Sequence, residues 1–292
     1  MNPCQSARVR KHDSEAEQYY RSGHRRHRRA LGATGATVYV TGRTQKEGDA
    51  PLPGTVGATA AEVSAAGGVG IPVYCDHADD TQVAALFRQV QEEQGRVDIL
   101  VNNATCLHDD LTVKGPFWEK SLALTDIWNV GMRSHYTATY FAAPLLLASQ
   151  QALVVNTSSF GGRIYMHGPA YGAGKAAVDK MAHDMAVDFR PHGVAVVSIW
   201  MGLLLTERTR KVFDAEPEMY AGLIDTCETP GLTGRVIHAL HQDPQRMARS
   251  GKVWIGAELA QEYGVTEEDG RQPPSHRAFF GEQTQFGDAV VE

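Results

Sequence analysis

The sequence is poor in the features that assign a protein by composition. Its four cysteines, Cys4, Cys75, Cys106 and Cys227, are scattered and form no Cys-x-x-Cys pair. That argues against a disulfide framework and for free thiols in a reducing, cytoplasmic interior. No apolar run approaches the ~20 residues that cross a bilayer. The strongest, residues 195–205, is eleven long and contains a Ser and a Gly. No apolar signal-peptide region follows Met1. Positive charge is not in surplus: the net charge is −6, so the whole molecule has no electrostatic attraction for nucleic acid. There is no internal repeat. His24/His27 and His238/His241 have metal-like spacing but lack convergent third ligands, so no metal is expected.

What is present reads as one α/β domain. The 292 residues are 42% hydrophobic with 29 glycines, enough to bury a substantial core. Strand composition marks residues 37–41, 70–74, 98–102, 152–157, 194–200 and 252–255. Helical periodicity separates them. In 81–93, Val83, Leu86, Phe87 and Val90 share one face. Residues 125–149 read as a long helix in which Pro144 marks a kink or a late end. Residues 170–190 are a helix stopped by Pro191-His192-Gly193, and 230–241 are another. Residues 45–68 begin as a loop and become a short helix, and the tail beyond 270 has little periodicity. Strands alternating with helices imply a Rossmann-like, doubly wound parallel sheet with right-handed crossovers. Two glycine clusters mislead. Gly67-Gly68-Val69-Gly70 precedes a strand and reads as a turn, and Gly32 and Gly35 sit at a helix C-terminus.

Tyr171 and Lys175 carry the chemistry. Four residues apart in a helix, they leave the same face. A phenol holds its proton until pH ~10, and a fixed ammonium beside it favours the phenolate. Lowering that value by about three units needs roughly 4 kcal/mol, which a close cation in a poorly hydrated pocket supplies in part and a positively charged nicotinamide supplements. Such a tyrosine exchanges a proton with a carbonyl or alcohol oxygen. Alone, the pair is weak evidence and fits a solvated helix face better than a site. Ser158 and Ser159, however, end the strand run 152–157 and precede Gly161-Gly162. They place a hydroxyl at the carboxyl edge of the sheet, where open α/β folds bind ligands. Upstream, Val97-Asp98-Ile99-Leu100-Val101 ends in Asn102-Asn103-Ala104.

The order strand-Asn-Asn-Ala, strand-Ser-Ser, Tyr-x-x-x-Lys resembles the short-chain dehydrogenase/reductase family. Ser250-Gly251-Lys252-Val253-Trp254 and the run 259–265 look like the member-1 type of the dehydrogenase/reductase group. The resemblance covers residues 30–271. It implies an oxidoreductase that moves a hydride between a nicotinamide cofactor and a carbonyl or secondary alcohol. Tyr171 would be the acid or base, Lys175 would lower its pKa and hold the nicotinamide ribose, and Ser159 would bind the substrate oxygen, with Ser158 as the runner-up. Asp76 would meet the adenine, Asn103 and Ala104 the adenine ribose, and Gly202 and Thr206 the nicotinamide loop. Thr41-Gly42-Arg43-Thr44 has no carboxylate to accept from a ribose 2′-hydroxyl. Arg43 and Thr44 suit a 2′-phosphate, so NADP(H) is favoured over NAD(H). Leu203, Leu204, Leu205 and Phe213 are candidate pocket walls or core. A homo-oligomer is expected from the family.

Three departures stand against this. Met201 replaces the proline expected before Gly202, which puts the rigidity of that loop in question. Gly131 takes the place of the relay asparagine, with Asn129 two residues off. The first strand and its glycine-rich phosphate turn are absent: the glycine positions fall near Gln18, Ser22 and His24. Residues 1–29 include a run of Arg and His and read as a disordered or non-native start, a basic arm or a transit-like segment, with residues 272–292 a C-terminal tail. The rival function is a catalytically impaired relative with a binding or subunit role.

Overall fold

The computed structural model describes the backbone of residues 24–291 other than 50–53, 216, 219 and 221, and side chains from Arg28 onward. The order is α1 (His24–Gly32), β1 (Thr37–Gly42), α2 (Val56–Ala65), β2 (Val69–Tyr74), α3 (Asp80–Glu93), β3 (Ile99–Asn102), α4 (Asp126–Trp128), α5 (Ser134–Leu147), β4 (Leu153–Ser158), α6 (Pro169–Phe189) and β5 (Ala195–Trp200). Then follow α7 (Glu207–Ala215), α8 (Pro230–Gln242), α9 (Arg246–Arg249), β6 (Val253–Ile255), α10 (Gly256–Glu262) and α11 (Arg277–Phe280). The strands expected from the sequence all form, and every pairing among them is parallel.

Alternation divides the core. Leu153, Val155, Val197 and Ile199 pack to one side with Leu31 of α1 and Leu232, Val236 and Leu240 of α8. Val154 and Val196 point the other way, toward Val83, Leu86 and Phe87 of α3 and Leu145 of α5. All six residues of β4 and of β5 are buried, as expected for strands covered on both faces. Local chemistry sets the helix starts: Asp79 caps α3 by accepting the Thr81 and Gln82 N–H groups, and Pro169 opens α6.

The expected long helix over 125–149 is broken, and not where proline predicts. Pro144 lies inside an unbroken α5. The break comes at Val130 and Gly131, where Gly131 has φ 137°. The Tyr140 carbonyl, which an N–H at position 144 would have bonded, belongs to an exposed residue, and Pro144 itself is exposed on the same side of the helix. Gly131 is required twice over: by its positive φ, and because a Cβ there would stand 2.6 Å from Thr105 Oγ1. The Cys106 N–H donates to the Val130 carbonyl at 2.6 Å, taking up an acceptor that the break releases. His24 to Arg29, read as part of the atypical start, form the first turns of α1. The tail is tied down: the Phe280 ring lies 5.2 Å from that of Phe160, and Arg163 Nη1 donates to the Glu282 and Gln283 carbonyls.

Among the described residues the sheet is in two parts. There β1 pairs only with β2, while β3, β4, β5 and β6 form the other part in that order. No described strand joins them. Instead, β1 and β3 border a cavity of about 720 Å³. The β1–β2 part is held by close backbone contact, since a Cβ on Gly70 would meet the Ala60 carbonyl oxygen of α2 at 2.0 Å. Gly70→Ala should therefore cost about 1–3 kcal/mol through overpacking. A thermal midpoint lower by roughly 3–10 °C is expected in calorimetry, and an unchanged midpoint would contradict this packing.

Candidate active site

The carboxyl end of β4 and the first turns of α6 meet without an intervening side chain. Ser159 leaves β4 and caps the turn Phe160–Gly162 by accepting the Gly161 N–H. Gly161 is pressed on the phenol: a Cβ there would lie 2.5 Å from Tyr171 Cε1. A Cβ on Gly162 would lie 2.8 Å from Asp179 Oδ2. This closeness brings Ser159 Oγ to 2.9 Å from the Tyr171 hydroxyl. Ser158 is turned away, its Oγ donating to the Lys175 carbonyl at 3.4 Å. Of the two serines, Ser159 is the one that reaches the tyrosine. On the other side of the phenol, His167 stands edge-on to the ring at 5.2 Å. His167 has φ 59° and is followed by Gly168 with φ 95°, a left-handed pair that turns the chain into α6.

Lys175 is buried, with Nζ donating to the Thr157 carbonyl at 3.1 Å and lying 5.9 Å from the centre of the Tyr171 ring. Burial lowers its pKa to about 8, against the raising influence of Asp179. Asp179 is 1% exposed and accepts from Ser198 Oγ at 2.5 Å and Trp200 Nε1 at 2.8 Å. Burial pushes its carboxyl up to about 6, opposed by these hydrogen bonds and by Lys175. The phenol does not behave as the pairing with lysine alone suggests. Burial pushes the Tyr171 pKa up, the Ser159 hydrogen bond pulls it down, and the Asp179 charge pushes it up again. The ammonium donates to a backbone carbonyl, while burial and the Asp179 charge hold the phenol's pKa above the ordinary tyrosine value. Asp179 was missed in the sequence. Its signal was there, because Tyr171, Lys175 and Asp179 continue one helix face at four-residue steps.

A second missed residue is Glu228, 1% exposed. The loop after β5 runs through Met201 and Gly202, and Glu228 clasps it. Its N–H donates to the Leu203 carbonyl at 2.9 Å, and its carbonyl accepts from Leu205 at 2.8 Å. Burial raises the Glu228 carboxyl to about 7, and the Gly202 N–H bonded to it acts in the other direction. A Cβ on Gly202 would lie 2.5 Å from Glu228 Oε1. The loop that lacks proline is thus fixed by a strand-like clasp and a buried carboxyl. Thr206 Oγ1 accepts the Thr209 N–H at the start of α7, so this hydroxyl already has a structural bond. Phe213 is buried and its ring stacks on Tyr220 at 4.8 Å.

The remaining candidates gather elsewhere. Arg43, Thr44, Asp76, Asn103 and Ala104 all line the 720 Å³ cavity, whereas Ser159, Tyr171, Lys175, Gly202 and Thr206 do not. Arg43 Nη1 lies 3.7 Å from Asp76 Oδ2, both partly exposed, so a ligand phosphate at Arg43 would compete with Asp76. The Asn103 side-chain oxygen accepts from Thr157 Oγ1 at 2.8 Å, which ties the end of β3 to the strand bearing Ser159. The Ala104 carbonyl lies 3.0 Å from His135 Nε2. Of the glycine-turn positions, Gln18 and Ser22 lie outside the described residues, as does the side chain of His24. Among the described residues no group of three or more His, Cys, Asp or Glu side chains gathers as a metal site. No described helix is long and apolar enough to cross a membrane.

The chain matches the family model described as short chain dehydrogenase over residues 25–217. It is 39% identical over 251 residues to human "Dehydrogenase/reductase SDR family member 1", covering 81% of this chain and 77% of that protein. It is 25% identical over 238 residues to "Hydroxysteroid dehydrogenase-like protein 2" of Xenopus tropicalis, covering 80% of this chain and 54% of that one. A short chain dehydrogenase structure from Mycobacterium thermoresistibile superposes with a TM-score of 0.71 at 21% identity, over 85% of this chain and 86% of that one. A 3-oxoacyl-[acyl-carrier protein] reductase from Brucella melitensis, in complex with NAD, gives 0.68 at 21% identity over 81% and 92%.

Gly161→Ala tests the contact that seats the phenol. The added methyl should displace Tyr171 from Ser159, with the ring-proton shifts of Tyr171 changing in NMR spectra and global stability falling by about 1–3 kcal/mol. Unchanged Tyr171 resonances would show that the glycine does not set this distance.

Proposed function

Because the chain belongs to the short-chain dehydrogenase family, we propose that it is an oxidoreductase transferring a hydride between NADP(H) and a carbonyl or secondary-alcohol substrate. The observation that carries this reading is the 2.9 Å approach of Ser159 Oγ and Tyr171 OH at a sheet's carboxyl edge, with a buried lysine one helical turn on. The donor set suits the cofactor at two places. Arg43 and Thr44 would take a 2′-phosphate, and Asp76, Asn103 and Ala104 would surround the adenosine. Gly202 and Thr206 would border the nicotinamide, and Lys175 would bond its ribose. When bound, the cofactor supplies or accepts the hydride.

The protein's own part is proton handling. Ser159 holds the substrate oxygen beside the phenol. Tyr171, kept protonated by burial, gives its proton to that oxygen in reduction and recovers it in oxidation. Lys175 stabilises the phenolate left behind, and the Asp179 carboxyl keeps that ammonium charged inside the protein. The low pKa of Lys175 makes this support sensitive to pH, since the ammonium is lost as pH rises through about 8. A homo-oligomer in a cytoplasmic setting accords with the exposed Tyr136, Tyr140 and Leu147 along α5 and with the free thiols of Cys75, Cys106 and Cys227.

Tyr171→Phe should lower ketone reduction by about 10²- to 10⁴-fold while leaving the NADPH Kd, read by fluorescence titration, within twofold. Arg43→Ala should weaken NADPH at least tenfold and NADH little. Retained turnover in Tyr171→Phe would remove the assigned acid. Cofactor binding without turnover in the parent chain would favour the binding role instead.

A further inference from the structure

Glu228 is a carboxyl buried without a counter-charge. It is 1% exposed, and among the described residues no cation pairs with it. Arg235 is taken up by Glu267, which lies 3.2 Å from that guanidinium and also accepts the Thr229 N–H at 2.5 Å and hydroxyl at 2.6 Å. Glu267 is itself buried, and its negative charge makes ionisation of Glu228 harder still. The charges of Arg271, Arg210 and Asp225 act on the neighbouring Cys227 thiol. An isolated carboxylate in such surroundings is costly, so the group keeps its proton.

A neutral acid has one oxygen that accepts and one that donates. The Gly202 N–H supplies the donor for the first. The second needs an acceptor. Glu228 Oε1 and His276 Nε2 are both buried, and both lack a hydrogen-bond partner among the described residues. They belong to groups that press on the same glycine. A Cβ on Gly202 would lie 2.5 Å from Glu228 Oε1 and 3.1 Å from His276 Cδ2, the ring carbon bonded to that nitrogen. Burial lowers the His276 pKa, so its imidazole is neutral and has a lone pair to offer. The C-terminal segment brings His276 there, and Ser275 and Arg277 fasten it to Glu258 by hydrogen bonds of 2.6 Å and 2.7 Å.

We propose that Glu228 is a positioning residue for the loop at Gly202: as a neutral acid sharing its proton with His276 it holds that loop closed, and on losing the proton it lets the loop go. Its bearing on catalysis rests on the proposed reading of Gly202 and Thr206 as the nicotinamide border. A carboxylate at this place would face Glu267 with one N–H to meet it. It would turn toward water, and the backbone clasp on Leu203 and Leu205 would open with it. The value of about 7 in the closed loop lies above the ordinary carboxylate value of 4.5. Closure is therefore strongest below the lower value, weakens as pH rises between the two, and is constant above the higher.

Amide hydrogen exchange on the full 292-residue chain, without cofactor, reads the clasp through the Leu205 and Glu228 N–H groups. Their protection, corrected for the intrinsic pH dependence of exchange, should fall roughly tenfold or more between pH 5 and pH 7.5 and level off above pH 8. Glu228→Gln keeps the shape and the donor but cannot ionise, so its protection should stay within about threefold over the same range. His276→Ala removes the acceptor and should lower protection at pH 5 by about threefold or more. An equal fall in Glu228→Gln, a flat profile in the parent chain, or unchanged protection in His276→Ala would overturn the proposal. NADP+ should raise the protection of Leu205 in the parent chain at pH 5. A clasp that titrates in this way in a chain that binds no NADP+ would remove the cofactor reading and leave the Glu228 latch standing.

Discussion

The candidate site depends on one approach: α6 lies against the end of β4 with only glycine between them. Gly161 lets the Tyr171 ring come down beside Ser159, and Gly162 lets the next turn of the helix come down beside Asp179. Nothing about a tyrosine four residues before a lysine guarantees this. The same pair on a helix held off by two methyl groups would face water and do nothing. Burial follows from the approach, and the unusual proton affinities follow from burial. Lys175 is lowered, and Asp179 and Tyr171 are raised.

Those shifts all have burial as their first cause. Desolvation penalises each ionised form, and the hydrogen bonds from Ser198 and Trp200 to Asp179 recover part of that cost. The ammonium and carboxylate lie four residues apart on one helix, and the carboxylate charge raises the phenol further. In the proposed reaction, phenolate formation would wait on a further positive charge and on a substrate oxygen ready to accept the proton. The clasp of Glu228 on the loop at Gly202 serves the same end, since a preorganised loop does not have to be ordered when a ligand arrives.

Much of this was legible in the sequence because buried parallel strands announce themselves as short β-branched runs. Ser159, Tyr171 and Lys175 were found from a strand end and a helical spacing, and the structure brings their side chains together. The break in the long helix was misplaced because proline is the stronger signal in one dimension. Pro144 sits on the exposed side of an unbroken helix, whereas Gly131 is forced by contact with Thr105, a loop away in sequence. Glu228 was invisible for a similar reason. Its partner, the loop after β5, is distant along the chain, and only the fold sets them face to face. The division of the sheet was half visible: the missing glycine turn could be read, but the two facing edges and the cavity between them could not.

The claim that burial holds the phenol protonated until another charge enters is open to direct titration. The ultraviolet difference between the parent chain and its Tyr171→Phe variant isolates one phenolate signal. In the absence of cofactor, that signal should appear at higher pH than free tyrosine, whose pKa is ~10. A phenolate emerging below that value in the free protein would contradict the account, because the lysine field would then outweigh desolvation.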